Sequence, residues 1–117
     1  GDGGDGGVVG GGCNNVAAFT SVAQPPLAAN CASCHGAGGM ANAISATDMT
    51  EINNLTADGQ AAACAQIKTR TNQLDPVNSG LFLAPDPGSG TAHPFKFPTP
   101  AAFQAFRTSV VNWINQE

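Results

Sequence analysis

The sequence predicts a mostly α-helical fold of about four helices joined by long loops. Apolar residues recur at helical spacing in several segments, and the regular alternation of a β-strand occurs nowhere along the sequence. The 15 glycines and 8 prolines indicate many turns between the helices. A chain of 117 residues is the size of a single domain. We therefore expect one helical domain over residues 13–117, preceded by a Gly-rich tail or linker over residues 1–12.

The first two predicted helices lie on either side of a proline pair. Asn14 or Asn15 is a suitable N-cap for a helix from Val16 to about Ala23. The prolines at positions 25 and 26 end this helix and open the next, because proline is tolerated in a first helical turn. The second helix carries residues 31–35, and the glycines that follow it predict a loop.

Two further helices and one irregular region complete the prediction. Residues 47–51 have the acidic side chains of a helix start, so we expect a short helix that ends near residue 54. Thr56 can cap a longer helix over residues 57–69. The proline- and glycine-rich region from 75 to 98 predicts irregular structure. Thr99 and the following proline then start a last helix, whose apolar face consists of Phe103, Phe106, Val110, Trp113 and Ile114.

The segment Cys31-Ala32-Ser33-Cys34-His35 carries the most specific chemistry of the chain. A CxxCH pattern is typical of covalent c-type haem attachment. On one helical turn the two thiols can each form a thioether with a haem vinyl group, and the imidazole of His35 can then bind the iron. The alternatives are a redox disulfide, which favours a βαβ context, and half of a zinc site, which needs further ligands nearby. Since the sequence shows neither, we expect one covalent haem c.

The haem iron has a second axial position, for which the sequence offers His93, Met40, Met49 or no ligand. Met40 follows His35 by only five residues, too few for the chain to reach the opposite face of the porphyrin. Met49 could reach, but it lies in a predicted helix as a core residue and is the runner-up. His93 lies in the long loop, where the next residue, a proline, stiffens the backbone.

We therefore favour axial ligation by His35 and His93, although the sequence leaves open whether His93 comes from the same chain or from a neighbouring subunit. Ligation by histidine and methionine raises the reduction potential of a haem, so a site with two histidines should have a lower potential.

The two remaining cysteines, Cys13 and Cys64, are expected to form a disulfide, with two unlinked buried thiols as the alternative. A disulfide and a covalent haem both indicate an oxidising compartment. We expect the protein to be periplasmic or extracellular, after removal of a leader peptide.

The charge of the chain limits its partners. A net charge of −4 with only 10% charged residues argues against nucleic acid and anionic membrane as partners. No apolar run is long enough to span a bilayer. The four basic residues could pair with haem propionates, but solvated surface charge is the favoured interpretation. These residues are Lys68, Arg70, Lys96 and Arg107, and Lys96 is the closest of them in sequence to His93.

The residues around the motif resemble a known family. Phe19, Val22, Pro25 and Leu27, followed by residues 30–36, are similar to the class I-type cytochrome c domains of bacterial periplasmic and surface proteins, including the planctomycete-type group. The segments 78–81, 93–94 and 111–114 follow in the order that such domains use, so the resemblance covers about Val16 to Ile114.

The resemblance implies a cytochrome c-like fold, wrapped round one covalent haem, in which the first and last helices cross. Phe19 would then contact residues of the last helix, among them Phe106, Val110 and Trp113. Many members of the family carry methionine-proline where this chain has histidine-proline, and this departure supports His93 as a ligand.

Together these features predict an electron-transfer protein, not an enzyme, with other redox proteins as partners. No carboxylate pair, nucleophile triad or phosphate-binding loop indicates another chemistry. Two alternatives stay open. The charge-poor surface and the histidine at position 93 also fit a subunit of an extracellular cytochrome polymer, an electron-conducting filament. A haem peroxidase or gas-binding sensor would need a vacant or displaceable sixth position on the iron.

Overall fold

The computed structural model describes residues 12–117, so the predicted tail lies outside the described residues except for Gly12. Within residues 12–117 the secondary structure is helical and contains no strand, which confirms the mostly α prediction. The four helices are α1 over residues 16–35, α2 over Ala41–Ala46, α3 over Ala57–Lys68 and α4 over Pro100–Ile114. Two 3₁₀ turns, Pro76–Asn78 and Gly80–Phe82, interrupt the long region between α3 and α4.

Helix α1 joins two segments that the sequence predicted as separate helices. Its α-helical parts, Val16–Ala18 and Gln24–His35, are connected by a π-helical turn over Phe19–Ala23. The predicted helix end near residue 23 is therefore wrong. The proline pair lacks two backbone N–H donors, and a wider turn ahead of it accommodates that loss while the chain stays helical.

The segment between α1 and α3 also differs from the prediction. We expected a loop after residue 35 and a helix from residue 47. In the structure, helix α2 lies where the loop was expected, and residues 47–56 contain turns and no helix. Asp48 Oδ1 accepts hydrogen bonds from the N–H and the hydroxyl of Thr50, both within 2.9 Å. Such local bonds compete with helix formation. The alanine-rich sequence of α2 favours a helix, a signal that the glycines before it outweighed in the prediction.

Helices α3 and α4 begin where the sequence predicts. Thr56 Oγ1 accepts from the N–H of Gly59 at 3.0 Å, and Thr99 Oγ1 accepts from the N–H of Ala102 at 3.1 Å. These bonds satisfy backbone donors of the first turn that have no partner within the helix. Helix α3 ends at Lys68, one residue before the predicted end.

The core lies between α1 and α4. The rings of Phe19 and Trp113 meet edge to face with their centroids 5.1 Å apart, so the contact expected between the first and last helices is confirmed. Both side chains are fully buried. Such an aromatic pair contributes about 0.5–1.5 kcal/mol beyond the burial of its apolar area.

A cluster at the two ends of the described chain fixes the start of α1, and we call it the terminal clamp. It consists of the Cys13–Cys64 disulfide, Lys68 and Glu117. The disulfide joins the same two cysteines that the sequence analysis paired. The carboxylate of Glu117 accepts hydrogen bonds from the N–H groups of residues 14 and 15, at 3.0 and 2.8 Å, and pairs with the Lys68 ammonium at 3.1 Å.

The Glu117 carboxylate lies at the N-terminus of α1, where the helix dipole favours negative charge. Burial raises the pKa of Glu117, but hydrogen bonds from Asn14, Lys68 and Asn15, together with the Lys68 charge, outweigh burial and hold the pKa below its ordinary value. The side chain therefore stays ionised in the fold.

Candidate functional site

A cavity of about 520 Å³ lies beside the C-terminal end of α1. Its volume falls in the range of about 300–1,000 Å³ that is typical of sites for organic ligands. Most of its walls are apolar, and they include Met49, Leu81, Ala84, Pro85, Pro94, Phe95 and Phe106. The four residues predicted to bind a haem line this same cavity: Cys31, Cys34, His35 and His93.

The position of His35 is fixed by the chain that returns after α1. A glycine turn makes this return possible: Gly38 has a φ of +79°, and a Cβ on Gly39 would lie 2.2 Å from the Cys34 carbonyl oxygen. His35 Nδ1 lies 2.8 Å from the carbonyl oxygen of Thr47. The N–H of Met49 donates to the His35 carbonyl at 3.1 Å, so both the ring and the backbone of His35 are held.

The bond to His35 also explains why the predicted helix at residue 47 is wrong. An N-cap residue uses its carbonyl group for the first intrahelical hydrogen bond. The Thr47 carbonyl instead accepts from the His35 ring, and residues 48–50 form a local turn closed by hydrogen bonds to Asp48 Oδ1. The same backbone group therefore serves the candidate site and not a helix.

His93 lies in residues 84–98, which we call the His93 loop. Its Nδ1 atom is 2.6 Å from the carbonyl oxygen of Phe95. Because a carbonyl oxygen can only accept, Nδ1 must be the donor in this bond and in the bond from His35 to Thr47. Each ring is thereby set in the tautomer that leaves Nε2 with a free lone pair, the form that binds a metal ion.

The two rings have the separation that a shared metal ion requires. The ring centroids of His35 and His93 are 6.3 Å apart, and the ring planes are within 15° of parallel. Two metal–nitrogen bonds of about 2.0 Å each would put the ring centres roughly 6 Å apart. The separation of the ring centres therefore matches that of two imidazoles that share one ion.

The thiols of the motif are reduced and lie on the same cavity. Cys31 and Cys34 form no disulfide. Burial, followed by the proximity of Cys34, raises the pKa of the Cys31 thiol to about 12. A redox nucleophile acts as the thiolate, and a pKa this high opposes its formation.

A compact zinc site is also not formed by these residues. Among residues 12–117, only Cys13, Cys64 and Glu117 bring three potential metal-ligating atoms within 4.8 Å of one another. Both sulfurs of that group are in the disulfide, so they are neither thiolates nor S–H donors. The four residues of the cavity are spread over a larger space, which fits a flat ligand better than a tetrahedral ion.

The two methionines considered as ligands lie on the cavity wall as well. Met49, the runner-up, is 2% exposed, as expected of a core residue, but it lies in a turn segment and not in the predicted helix. The N–H of Met49 donates to the His35 carbonyl, which places Met49 on the His35 side of the cavity. Met40 is 50% exposed and its N–H donates to the Cys34 carbonyl. Neither arrangement favours these residues over His93 as the second ligand.

Two of the four basic residues are engaged away from the cavity walls, whereas Arg70 is hydrogen-bonded to Ala46, which lines the cavity. Lys68 pairs with Glu117, and the Arg107 guanidinium lies 5.1 Å from the centre of the Phe103 ring. The fourth, Lys96, donates hydrogen bonds within the His93 loop.

Sequence reasoning missed the groups that orient the two histidines. They are the backbone carbonyls of Thr47 and Phe95, and a carbonyl group is common to every residue. For Phe95 a signal exists, since a proline lies between it and His93 and favours a tight local turn. For Thr47 the chain must fold back over twelve residues, and no short-range pattern reveals that contact.

Comparisons of the chain with protein-family models, with curated protein sequences and with solved structures found no match. The likeness to cytochrome c domains therefore depends on the residues quoted above. No helix in the described part of the chain is long and apolar enough to cross a membrane.

Proposed function

We propose that the chain is a monohaem electron-transfer protein. Haem c would be held by thioethers to Cys31 and Cys34, with its iron between His35 and His93. The observation that carries this proposal is the pair of imidazoles 6.3 Å apart, each with Nδ1 bonded to a carbonyl group, in the same apolar cavity as the two thiols. When bound, the haem supplies one-electron oxidation and reduction.

The residues of the chain hold the group and exclude competing chemistry. The two histidines would both bind the iron of this group, so dioxygen or peroxide would find no open site on it. The apolar wall made by residues such as Leu81 and Phe106 would favour the less charged state of the iron. This arrangement favours electron transfer over catalysis, with redox proteins as partners.

The decisive experiment is expression with export and haem attachment, followed by intact-mass and visible spectroscopy. We expect the mass of one haem added to the chain, and the Soret and α bands of low-spin c-type haem. The matched control is the double variant Cys31→Ala/Cys34→Ala, which should lose the covalent haem. A wild-type protein with the bare chain mass and free thiols contradicts the proposal.

The axial ligand is tested by His93→Met. Because methionine prefers ferrous iron, we expect the midpoint potential to rise, on the order of 0.1 V. His93→Ala is the companion variant, and its reduced form should bind carbon monoxide while the reduced wild type does not. A prompt spectral shift of the wild type with carbon monoxide would favour the peroxidase or sensor alternative. An unchanged potential in His93→Met argues against ligation by His93.

A second candidate function, a subunit of an extracellular cytochrome polymer, is favoured by the apolar surface. Within residues 12–117, five large apolar side chains are exposed, namely Met40, Leu55, Leu74, Val77 and Leu83. Leu74 is 98% and Leu83 is 60% exposed, and in a polymer such side chains would be available for contacts between subunits. Light scattering of the holo-protein at high concentration separates the candidates. A monomer argues against the polymer, and an assembly that Leu74→Ser/Leu83→Ser disperses supports it.

A further inference from the structure

The His93 loop must be held rigid by something other than secondary structure. No residue from 84 to 98 is in a helix or a strand, yet the loop carries the proposed second ligand. A histidine on an unsupported loop samples several rotamers and cannot hold a metal-binding geometry, so a ligand needs supporting contacts.

The ammonium group of Lys96 lies at the centre of the loop. It donates to Ser89 Oγ at 2.9 Å, to Thr91 Oγ1 and to the Asp86 carbonyl oxygen at 3.4 Å. An ammonium group has three N–H donors, so each donor of Lys96 has an acceptor in the loop. The acceptors lie five to ten residues before Lys96, and the bonds therefore close the loop on itself.

On both sides of His93, hydrogen bonds reach back to the first two residues of the loop. Thr91 Oγ1 donates to the Ala84 carbonyl at 3.1 Å, and the Phe97 N–H donates to the Pro85 carbonyl at 3.1 Å. Ala84 and Pro85 line the cavity. The constraint passes from Lys96 through Thr91 to the wall, with His93 between the two bonded residues.

We propose that Lys96 is a positioning residue for His93, and that it acts through Thr91. The inference rests on the proposed function, because it assigns Lys96 a role in holding the second axial ligand. Its three donors are used by the loop, so solvated surface charge and pairing with a haem propionate both describe it less well. Without these bonds the loop loosens, and His93 dissociates from the iron more often.

The test compares three variants of the holo-protein. Lys96→Met removes the ammonium group, and Thr91→Val removes its link to Ala84 without a change in charge. Arg107→Met is the control, since it removes one positive charge whose hydrogen bond goes to Gln104 of α4 and not to the loop. The measurements are hydrogen exchange of a peptide that covers residues 86–97 and carbon monoxide binding by the reduced protein.

We expect Thr91→Val to raise the exchange rate of this peptide about tenfold, as the loss of one hydrogen bond would, and Lys96→Met, which removes three, to raise it further. In the reduced state both variants should bind carbon monoxide, which the wild type does not, whereas Arg107→Met should behave like the wild type. If only Lys96→Met changes carbon monoxide binding, its charge and not its bonds acts on the iron, and the inference is overturned.

Unchanged exchange and unchanged carbon monoxide binding in Lys96→Met also overturn the inference. The failure of the proposed function looks different. In that case the wild type itself lacks haem or binds carbon monoxide at once, and both the proposed function and the role of Lys96 are contradicted. A six-coordinate wild type with unaffected variants removes only the role of Lys96.

Discussion

The two histidines on the cavity are fixed in contrasting ways. His35 ends a helix of twenty residues, and its ring is oriented by a segment that returns over that helix. His93 lies in a loop without regular structure. Hydrogen bonds from Lys96 close this loop, and Phe97 packs it against α4. Backbone hydrogen bonds that any sequence could make hold His35, whereas the position of His93 depends on particular side chains. The loop side should therefore be the more sensitive of the two to single substitutions.

The supports of the two sides also differ in kind. Helix α1 begins at the terminal clamp, where a covalent bond joins Cys13 to Cys64 and a buried carboxylate accepts from its first N–H groups. The His93 loop has instead an aromatic anchor. The Phe97 ring is 4.8 Å from that of Phe106 and 5.9 Å from that of Phe103, and Phe97 is 5% exposed.

Phe97→Ala should have the largest effect, because it disrupts the packing of the His93 loop on α4. It removes a buried ring from the contact between the loop and α4, and we expect the free energy of unfolding to fall by about 3–5 kcal/mol. Guanidinium denaturation of the holo-protein measures the loss. Leu74→Ala is the control, because a side chain that is 98% exposed should change stability by less than about 0.5 kcal/mol. Equal effects of the two variants would show that the aromatic anchor does not hold the loop.

Removal of the disulfide tests the support of α1 and His35. Cys13→Ala/Cys64→Ala opens a link between residues 51 positions apart and should lower the free energy of unfolding by about 2–5 kcal/mol. Carbon monoxide binding by the reduced protein should stay as in the wild type, because the His93 loop keeps its own bonds. This combination separates overall stability from ligand positioning. A variant that is as stable as the wild type, or one that binds carbon monoxide readily, contradicts the contrast drawn between the two sides.

Glu117→Gln should have the smallest effect, about 1–3 kcal/mol at pH 7, since it weakens charged hydrogen bonds but keeps the shape of the side chain. The pKa of Glu117 in the fold is below its ordinary value of 4.5. Its ionised form therefore adds stability at pH values above 4.5, and this contribution is lost as the pH falls through the lower pKa of the folded protein.

Denaturation curves at several pH values check this prediction. The stability of the wild type should fall on acidification below pH 4.5, and the fall should be shallower in Glu117→Gln. Asp58→Asn serves as the control, because this exposed carboxylate in the first turn of α3 should contribute less than about 1 kcal/mol. If the free energy of unfolding falls equally below pH 4.5 in the wild type and in Glu117→Gln, the terminal clamp does not depend on the carboxylate charge.

Several elements could be predicted because their signals are local. The caps at Thr56 and Thr99 place α3 and α4 to within a residue, and the apolar spacing of α4 identifies the face that packs on α1. The cysteine count leads to the Cys13–Cys64 pair. The motif at residues 31–35 names two thiols and one imidazole from five consecutive positions.

The errors come from segments where local signals compete with distant contacts. The acidic residues after Thr47 resemble a helix start, but the Thr47 carbonyl is taken by His35 across twelve residues. The alanines of α2 favour a helix, yet the glycines before them obscured it. The proline pair looked like a helix end because a π-helical turn is not visible in apolar spacing.

The amino-acid sequence by itself determined the helical class, the pairing of the leftover cysteines and the set of residues that could hold a haem. Only the tertiary structure brought His35 and His93 to 6.3 Å, fixed their tautomers and showed Lys96 at the centre of the loop. The physical reason is the range of the contacts. Caps, motifs and helical spacing depend on residues within a few positions, whereas the separation of two rings 58 residues apart depends on the packing of every element between them.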